Sequence, residues 1–258
     1  MGDVHFLQWL VLSLIQGFTE YLPISSSAHL ILVSKVMSWQ DQGLIIDLAA
    51  HGGSLLAVIW YFRDELIKLF KGENWSLFQQ LALASIPLAV FGFLFSDFIV
   101  NQLRKPEVIA VASIVFGALL YLSDVIQKRR TQHRQSIKMP QALMVGLAQV
   151  LALIPGASRS GVTMSAAMAM GYSRTKAARF SFLLAIPALL MTSAYLLLKV
   201  YQQPQEYNLM GVSIVFSVSF IISLLSIKVF LSLIERIPIS VFVWYRMLLA
   251  ALVLWYMQ

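Results

Sequence analysis

Long apolar runs dominate the pattern of hydrophobic and polar positions along the chain. A transmembrane helix needs about 20 mostly apolar residues, within a range of about 17–25. Six runs have this length, and they cover residues 44–62, 77–99, 107–126, 179–199, 211–234 and 239–257. The pattern therefore predicts six membrane-spanning helices in an all-α protein.

Two further apolar regions are each broken near their middle by proline and small polar residues. The first covers residues 6–37 and breaks at 23–27, and the second covers residues 141–170 and breaks at 155–161. Each half is too short to span a bilayer comfortably. Non-helical backbone at membrane depth is tolerated only where protein buries it or where it lines a wet cavity. We therefore expect two re-entrant helical hairpins.

The overall composition agrees with a membrane protein. Hydrophobic residues make up 59% of the 258 positions, charged residues 12%, and the mean hydropathy is +0.77. Soluble domains are about half apolar and about one quarter charged. The chain has no cysteine, which excludes disulfides, thiolate chemistry and cysteine-based zinc sites.

The net charge of +7 comes from 19 basic and 12 acidic residues. Basic residues collect in segments 63–76, 127–139 and 172–179, whereas segments 38–43 and 201–210 have none. Cytoplasmic loops are enriched in Lys and Arg, so the basic loop at 127–139 is predicted to be cytoplasmic and both termini to lie outside. The first hairpin then opens to the outer face and the second to the cytoplasmic face. Topology explains the basic excess, and no nucleic-acid partner is expected.

Short motifs recur along the chain. Ser-Ile-Pro at 85–87 parallels Ala-Ile-Pro at 185–187, and Ser-Ile-Val-Phe at 113–116 recurs at 213–216 with the same offset. Together with the two opposed hairpins, these matches predict an inverted duplication.

The duplication predicts a single membrane domain over residues 1–258. Its inverted halves would cover approximately residues 1–126 and 140–258. Folds of this kind place broken helices facing each other near the bilayer midplane, with the binding site between them.

The first break carries a cluster of polar residues. Gln16 and Glu20 are four residues apart and share one helical face. A proline then ends this helix, and the serines at 25–27 are suited to cap the next one. Ser26 and His29 share a face of that second helix. An ionisable residue inside a membrane segment indicates function. The alternatives are an ion pair for Glu20, capping alone for the serines, and a core role for His29.

The second break has the composition of an anion-binding turn, Pro155-Gly-Ala-Ser-Arg-Ser-Gly-Val-Thr163. Free backbone N–H groups and the positive end of a helix bind phosphate. Arg159 adds a forked donor with a permanent charge, and Thr163 follows on the same face. The alternative is that Arg159 only neutralises Glu20. With both hairpins facing each other, the combined residues are those that phosphoryl transfer uses, usually with a divalent cation on oxygen ligands.

From end to end, the chain resembles the undecaprenyl-diphosphate phosphatase family, also called bacitracin-resistance proteins. One family signature runs from Glu-or-Gln-x-x-x-Glu into Pro-x-Ser-Ser-x-x-His, and it matches residues 16–29 here. The other, Pro-Gly-x-Ser-Arg-Ser-x-x-Thr, matches residues 155–163. The two signatures in this order are highly specific.

The resemblance implies hydrolysis of undecaprenyl diphosphate to the monophosphate and inorganic phosphate. This reaction recycles the C55 carrier lipid of peptidoglycan synthesis and confers bacitracin resistance. The resemblance also implies a divalent cation, Mg²⁺ or Ca²⁺, and a site that opens to the periplasmic side of the bacterial inner membrane.

The resemblance further assigns roles to individual residues. Glu20 and Gln16 would hold the metal, although Gln16 stands where some family members have Glu and brings no charge. Either Ser26 or His29 would be the nucleophile, with the other assisting. The substrate-binding residues would be Ser25, Gly156, Ser158, Arg159, Ser160 and Thr163.

Other possibilities stay open. A secondary transporter or a lipid flippase could use the same inverted-repeat architecture, and the protein could form a homodimer. Four ionisable residues in or near the spans have no assigned role, and they are Asp47, His51, Lys228 and Arg246. Arg246 requires a partner that the sequence does not reveal.

Overall fold

A computed structural model describes residues 2–39, 43–203 and 207–256 of the chain. Within these ranges the chain forms α-helices joined by short turns, and no β-strand is found there. The helices are α1 Gly2–Thr19, α2 Ser26–Val36, α3 Leu44–Tyr61, α4 Arg63–Phe70, α5 Trp75–Leu94, α6 Ser96–Phe98, α7 Pro106–Lys128, α8 Met139–Gln149, α9 Arg159–Ala169, α10 Arg174–Gln202, α11 Leu209–Leu233 and α12 Ser240–Tyr256.

Five of these helices are long and apolar enough to cross a bilayer, namely α3, α5, α7, α10 and α11. The chain is therefore an all-α, multi-pass membrane protein, as predicted. The sixth predicted span corresponds to α12, which has 17 residues and is shorter than the other five. Residues 40–42 and 204–206 of two predicted outer loops, and Met257 of the sixth predicted span, lie outside the described residues.

Two predicted span boundaries differ from the structure. The span predicted over 77–99 ends at Leu94, and the chain continues as the short α6 and a π-helical turn at Ile99–Leu103. Segment 172–179, predicted as a turn, already contains the start of α10 at Arg174, because Ser173 caps this helix by accepting from the Lys176 backbone N–H.

The loop predicted over 63–76 contains a helix that the apolar pattern did not indicate. Asp64 and Glu65 lie in the first turn of α4 and Lys68 in its last turn, the charge order that favours a helix dipole. The side chain of Asn74 then caps α5 by accepting from the Leu77 backbone N–H.

Both broken helices have the same backbone plan. α1 ends at Thr19 and α2 begins at Ser26, whereas α8 continues as a 3₁₀ turn over Val150–Leu153 before α9 begins at Arg159. The residue before each new helix has a positive φ, 72° at Ser25 and 69° at Ser158. Left-handed conformations are uncommon for residues other than glycine. Two serines are thus held in the same strained conformation at the two hairpin tips.

The helices of the two predicted halves exchange partners. α1 packs against α11, and α8 packs against α5, while α3 packs against α10 and α7 against α12. If every helix is replaced by the helix at the corresponding place in the other half, the same four pairings result. An inverted duplication produces such an exchange, and the duplication itself stays a prediction from the sequence.

An ion pair joins the helix ends near the basic loop at 127–139. The Arg174 guanidinium donates to both carboxylate oxygens of Asp124, at 2.6 and 2.8 Å. Its remaining nitrogen donates to the carbonyls of Ile234 and Ile237. These contacts fasten α7 and α10 to the connection between α11 and α12, away from the hairpin tips.

Candidate active site

Glu20 is the centre of the polar cluster between the hairpins. It follows α1 directly, and its side chain is 8% exposed. Its Oε2 accepts hydrogen bonds from Ser26 Oγ at 2.7 Å and from Gln16 Nε2 at 3.1 Å. Its Oε1 accepts from Arg159 Nη2 at 3.2 Å. Both signature motifs therefore meet at one carboxylate.

Arg159, the first residue of α9, crosses from the second hairpin to the first. Besides its ion pair with Glu20, it donates from Nη1 to the Ser181 carbonyl at 3.0 Å. Its guanidinium carbon lies 5.9 Å from the centre of the Tyr21 ring. These contacts orient the forked donor toward the first hairpin. The alternative role considered from the sequence, neutralisation of Glu20, is thus present in the geometry and is compatible with anion binding.

A cavity of about 350 Å³, including its opening to solvent, lies beside this ion pair. Its lining residues are Glu20, Ser25, Ser26, Ser27, Ala152, Ser158 and Arg159. Since Ser26 begins α2 and Arg159 begins α9, both helix N-termini open on the same cavity. A helix N-terminus favours anions, so the cavity combines two such ends with a guanidinium and several hydroxyls.

Gln16 contacts Glu20 from the buried side. Its Nε2 also lies 3.4 Å from Ser54 Oγ, and Ser54 accepts a hydrogen bond from Ser223 and, through its carbonyl, from the Tyr21 hydroxyl. The Gln16 Oε1 is buried without a hydrogen-bond partner. The amide of Gln16 therefore acts as a donor to Glu20 in this structure and keeps one oxygen free.

His29 is held away from Ser26. Its Nδ1 lies 2.6 Å from the Ser25 carbonyl oxygen, and its Nε2 lies 2.6 Å from the Tyr245 hydroxyl. Because a carbonyl only accepts, Nδ1 carries the proton, and Nε2 of the neutral ring accepts from Tyr245. The two rings are stacked with centres 5.6 Å apart. The nucleophile–base hydrogen bond expected between Ser26 and His29 is therefore not present among the described contacts, and Ser26 bonds Glu20 instead.

Ser158 and Ser160 tie the second hairpin to the first. Ser160 Oγ donates to the Leu22 carbonyl at 2.8 Å, and Ser158 Oγ lies 3.5 Å from the same oxygen. Ser158 also caps α9 by accepting from the Gly161 backbone N–H at 3.2 Å. Its counterpart Ser25, one of the serines predicted to cap α2, makes no side-chain cap.

Thr163 and Gly156 support the site from outside the cavity lining. Thr163 Oγ1 lies 2.8 Å from the Arg159 carbonyl and 2.7 Å from Ser181 Oγ. Gly156 has a φ of +95°, and a Cβ there would lie 2.6 Å from the Ile109 carbonyl oxygen. Only glycine allows this turn to approach α7 so closely.

Arg246 on α12 is fully buried directly behind the two tips. It donates to the carbonyls of Pro23, Gly156, Ala157 and Ser113, at 3.2, 2.8, 3.1 and 3.2 Å. Sequence reasoning left its partner open. Main-chain carbonyls cannot be recognised as partners in a sequence, because every residue has one.

Other residues that sequence reasoning missed surround the cluster, namely Tyr21, Ser54, Ser181 and Tyr245. Only Tyr21 carried a signal, since it follows Glu20 in the first motif. Of the residues left without a role, His51 Nδ1 lies 2.9 Å from the Asp47 carbonyl, and Lys228 is exposed.

The oxygen donors at the site fit a divalent cation only in part. In the described part of the chain, no group of three or more His, Cys, Asp or Glu could hold a metal. Glu20 offers one carboxylate, and the unpartnered Gln16 Oε1 offers one buried amide oxygen. Mg²⁺ is usually bound by one or two carboxylates together with substrate phosphates. The donor set therefore fits Mg²⁺ that is bound mainly through a phosphorylated substrate.

Fold and site together define a multi-pass membrane protein whose two broken helices enclose a polar cavity lined by Glu20, Arg159 and several serines. A family model described as bacitracin resistance protein BacA matches residues 9–252. The chain is 45% identical to an undecaprenyl-diphosphatase of Alcanivorax borkumensis, across 98% of this chain and 99% of that protein. It is 42% identical to an undecaprenyl-diphosphatase of Colwellia psychrerythraea, across 97% and 98% of the two chains. The chain belongs to the BacA family.

Proposed function

We propose that this protein is an undecaprenyl-diphosphate phosphatase, which releases inorganic phosphate from undecaprenyl diphosphate and leaves undecaprenyl phosphate. The observation that carries the proposal is the short hydrogen bond from Ser26 to Glu20 in a cavity that Arg159 also lines. A hydroxyl beside a carboxylate, with the guanidinium of Arg159 in the same cavity, supports nucleophilic phosphoryl transfer. The relatives' names give the substrate.

In the first step, Ser26 Oγ attacks the terminal phosphorus of the lipid diphosphate. Its proton passes to Glu20 Oε2, which already accepts the hydrogen bond at 2.7 Å. The bond between the terminal phosphorus and the bridging oxygen breaks, and undecaprenyl phosphate leaves. Arg159 and the N–H groups at the starts of α2 and α9 stabilise the negative charge of the diphosphate.

In the second step, water attacks the phosphoserine at Ser26. Inorganic phosphate leaves with the oxygen of that water, and a proton returns to Ser26 Oγ through Glu20. His29 does not act as the base in this scheme. It holds the Ser25 carbonyl through Nδ1 and thereby fixes the backbone immediately before the nucleophile.

Glu20 and Gln16 would hold a divalent cation together with the diphosphate oxygens. Such an ion supplies charge neutralisation at the phosphoryl group. Mg²⁺ fits better than Ca²⁺, because Ca²⁺ takes six to eight oxygen ligands and the protein side of the site offers few. Chelator titration followed by phosphate release tests this requirement.

We place the protein in the bacterial inner membrane with six spans and the two re-entrant hairpins, and with the cavity open to the periplasm. The positive-inside pattern supports this orientation. Single cysteines test it, since the chain has none of its own. A thiol reagent that does not cross the membrane should label Ser136→Cys only from the cytoplasmic side. It should label Tyr207→Cys only from the periplasmic side. Both side chains are exposed, and labelling of both from one side would refute the topology.

Phosphate release from C55 diphosphate by purified protein in detergent tests the activity itself. We expect release by the wild type and loss of release in Arg159→Ala. A transporter or flippase without hydrolytic activity would release no phosphate under these conditions. Wild-type protein that stays folded and releases none would exclude the phosphatase.

A further inference from the structure

Arg246 occupies an unusual position for a buried cation. Its side chain lies on α12, and its exposed fraction is 0%. Among the described residues, every hydrogen-bond acceptor that it contacts is a main-chain carbonyl oxygen. Buried charges are usually paired with an opposite charge. Arg246 therefore brings a positive charge that no carboxylate of the described chain neutralises by direct contact.

The carbonyls that it contacts belong to both hairpin tips. Nη1 donates to Pro23, two residues before the Ser25 that precedes α2. Nη2 donates to Gly156 and Ala157, immediately before the Ser158 that precedes α9. One guanidinium thus bridges the two turns that set the directions of the two helix N-termini.

Contacts with α7 fix the guanidinium itself. Nε donates to the Ser113 carbonyl at 3.2 Å, and a Cβ on Gly117 would lie only 3.6 Å from the same nitrogen. On the other side, a Cβ on Gly161 would lie 3.1 Å from Nη1. Arg246 is therefore enclosed between α7 and the first turn of α9, in close contact with both.

We propose that Arg246 is a positioning residue for diphosphate binding. It holds the two tips in register so that the starts of α2 and α9 converge on one anion, and its unneutralised charge makes the cavity more attractive to that anion. This inference rests on the proposed phosphatase function. Arg246 does not line the cavity, so it acts through the tips and through its field and does not touch the substrate.

Arg174 provides a matched control. It is also a buried arginine, and it also donates to two main-chain carbonyls, but it is paired with Asp124 and lies away from the tips. The experiment compares Arg246→Lys and Arg246→Met with Arg174→Lys. Lysine keeps the positive charge but lacks the forked guanidinium that reaches both tips. Methionine lacks the charge as well as the fork.

The first readouts are the thermal midpoint of unfolding and the KM and kcat per folded molecule. The last is the inhibition constant of methylenediphosphonate, an analogue of diphosphate that cannot be hydrolysed. The stabilisation of folded protein by the same anion gives a measure of binding that does not depend on turnover. Wild-type protein that binds the diphosphonate but releases no phosphate would contradict the proposed function and not the role of Arg246.

We expect both Arg246 variants to raise the inhibition constant and to lower kcat/KM by about tenfold or more, with methionine having the larger effect. Arg174→Lys should lower the thermal midpoint and leave both binding measures within about threefold of the wild type. Unchanged diphosphonate binding in folded Arg246→Lys and Arg246→Met would overturn the proposal. Failure of both to fold where Arg174→Lys folds would also overturn it, in favour of an architectural role.

Discussion

The two hairpins use the same backbone device and carry different chemistry. In both, a helix ends in a turn, a serine adopts a positive φ, and a second helix begins at the cavity. The first hairpin brings the carboxylate of Glu20 and the hydroxyl of Ser26. The second brings the guanidinium of Arg159, and none of its cavity-lining residues, Ala152, Ser158 and Arg159, is a carboxylate.

This difference shows how two hairpins with the same backbone plan can form an asymmetric site. Two helix N-termini supply a generic preference for anions, and they do so from both sides of the cavity. The specific chemistry then comes from the side chains, since the first hairpin carries the acidic Glu20 and the second carries the basic Arg159. An ion pair joins these two residues. Two of the buried glutamines, Gln16 near the end of α1 and Gln149 at the end of α8, show the same division. Gln16 donates to Glu20, whereas both polar atoms of Gln149 are buried without a partner.

The largest expected effect concerns Ser26, the proposed nucleophile of the first hairpin. Ser26→Ala should lower kcat by about a thousandfold or more, because the reacting oxygen is lost. Phosphate release under saturating substrate measures it. Ser27→Ala is the control, since Ser27 also lines the cavity but lacks the bond to Glu20, and its kcat should stay within about threefold.

The rival nucleophile is His29. If His29 attacks, His29→Ala is inactive at every pH, Ser26→Ala is only slow, and an acid-labile, alkali-stable phosphoenzyme accumulates in the wild type. A Ser26→Ala variant that is only slow, or a phosphoenzyme with this lability, would identify His29 as the nucleophile, whereas inactivity of His29→Ala alone is also expected if His29 only fixes the Ser25 backbone.

A smaller but still large effect is expected from breaking the bond between the hairpins. Glu20→Gln should lower kcat by about a hundredfold, and it leaves the mostly buried Arg159 without its anion. Removing one partner of a buried ion pair typically costs about 3–5 kcal/mol. Turnover and thermal unfolding measured on the same preparation separate the two effects. Near-normal turnover at saturating Mg²⁺ would contradict both the base role and the metal role of Glu20.

Gln16→Glu sharpens the comparison by making the first hairpin more acidic. The new carboxylate would lie about 3 Å from Glu20, so the pair would need a cation or a shared proton. We expect activity to be retained at saturating Mg²⁺, with the half-maximal Mg²⁺ concentration lowered several-fold. A Mg²⁺ titration of phosphate release measures the shift. A sharp loss at every Mg²⁺ concentration would show that the donated hydrogen bond of Gln16 is what the site requires.

The smallest effect is expected at the corresponding glutamine of the second hairpin. Gln149→Leu removes a buried amide that has no hydrogen-bond partner, so stability should stay the same or rise by about 1–2 kcal/mol. Phosphate release should be unchanged. A marked loss of activity would mean that Gln149 belongs to the site, and the two hairpins would then share more chemistry than their contacts indicate.

The apolar pattern predicted much of the architecture because long hydrophobic runs and proline breaks are local signals. The two motifs predicted that Glu20, Ser26 and Arg159 belong to one site, and all three line the cavity. α4 was missed because its apolar residues are few and are spaced along an amphipathic helix, so they form no long run.

The detailed pairings could not be predicted, because they depend on contacts between distant segments. Spacing alone placed Ser26 and His29 on one helical face. In the structure, however, the imidazole of His29 is hydrogen-bonded to the hydroxyl of Tyr245 on α12. Arg246 donates to main-chain carbonyls, and a sequence does not show which carbonyls will be acceptors because every residue has one. Thr163 and Ser160 were grouped with the substrate-binding residues, and the structure shows them bonded to Ser181 and Leu22.

The exchange of partners between the halves has a consequence for biosynthesis. α1 leaves the ribosome first, yet the helix against which it packs, α11, is nearly the last to be made. At about 5–20 residues per second, roughly ten to forty seconds separate the two. For most of that interval the Glu20 side chain lacks Arg159, and until α11 is made α1 lacks the helix against which it packs. The packing of the first hairpin can therefore be completed only when translation is almost finished.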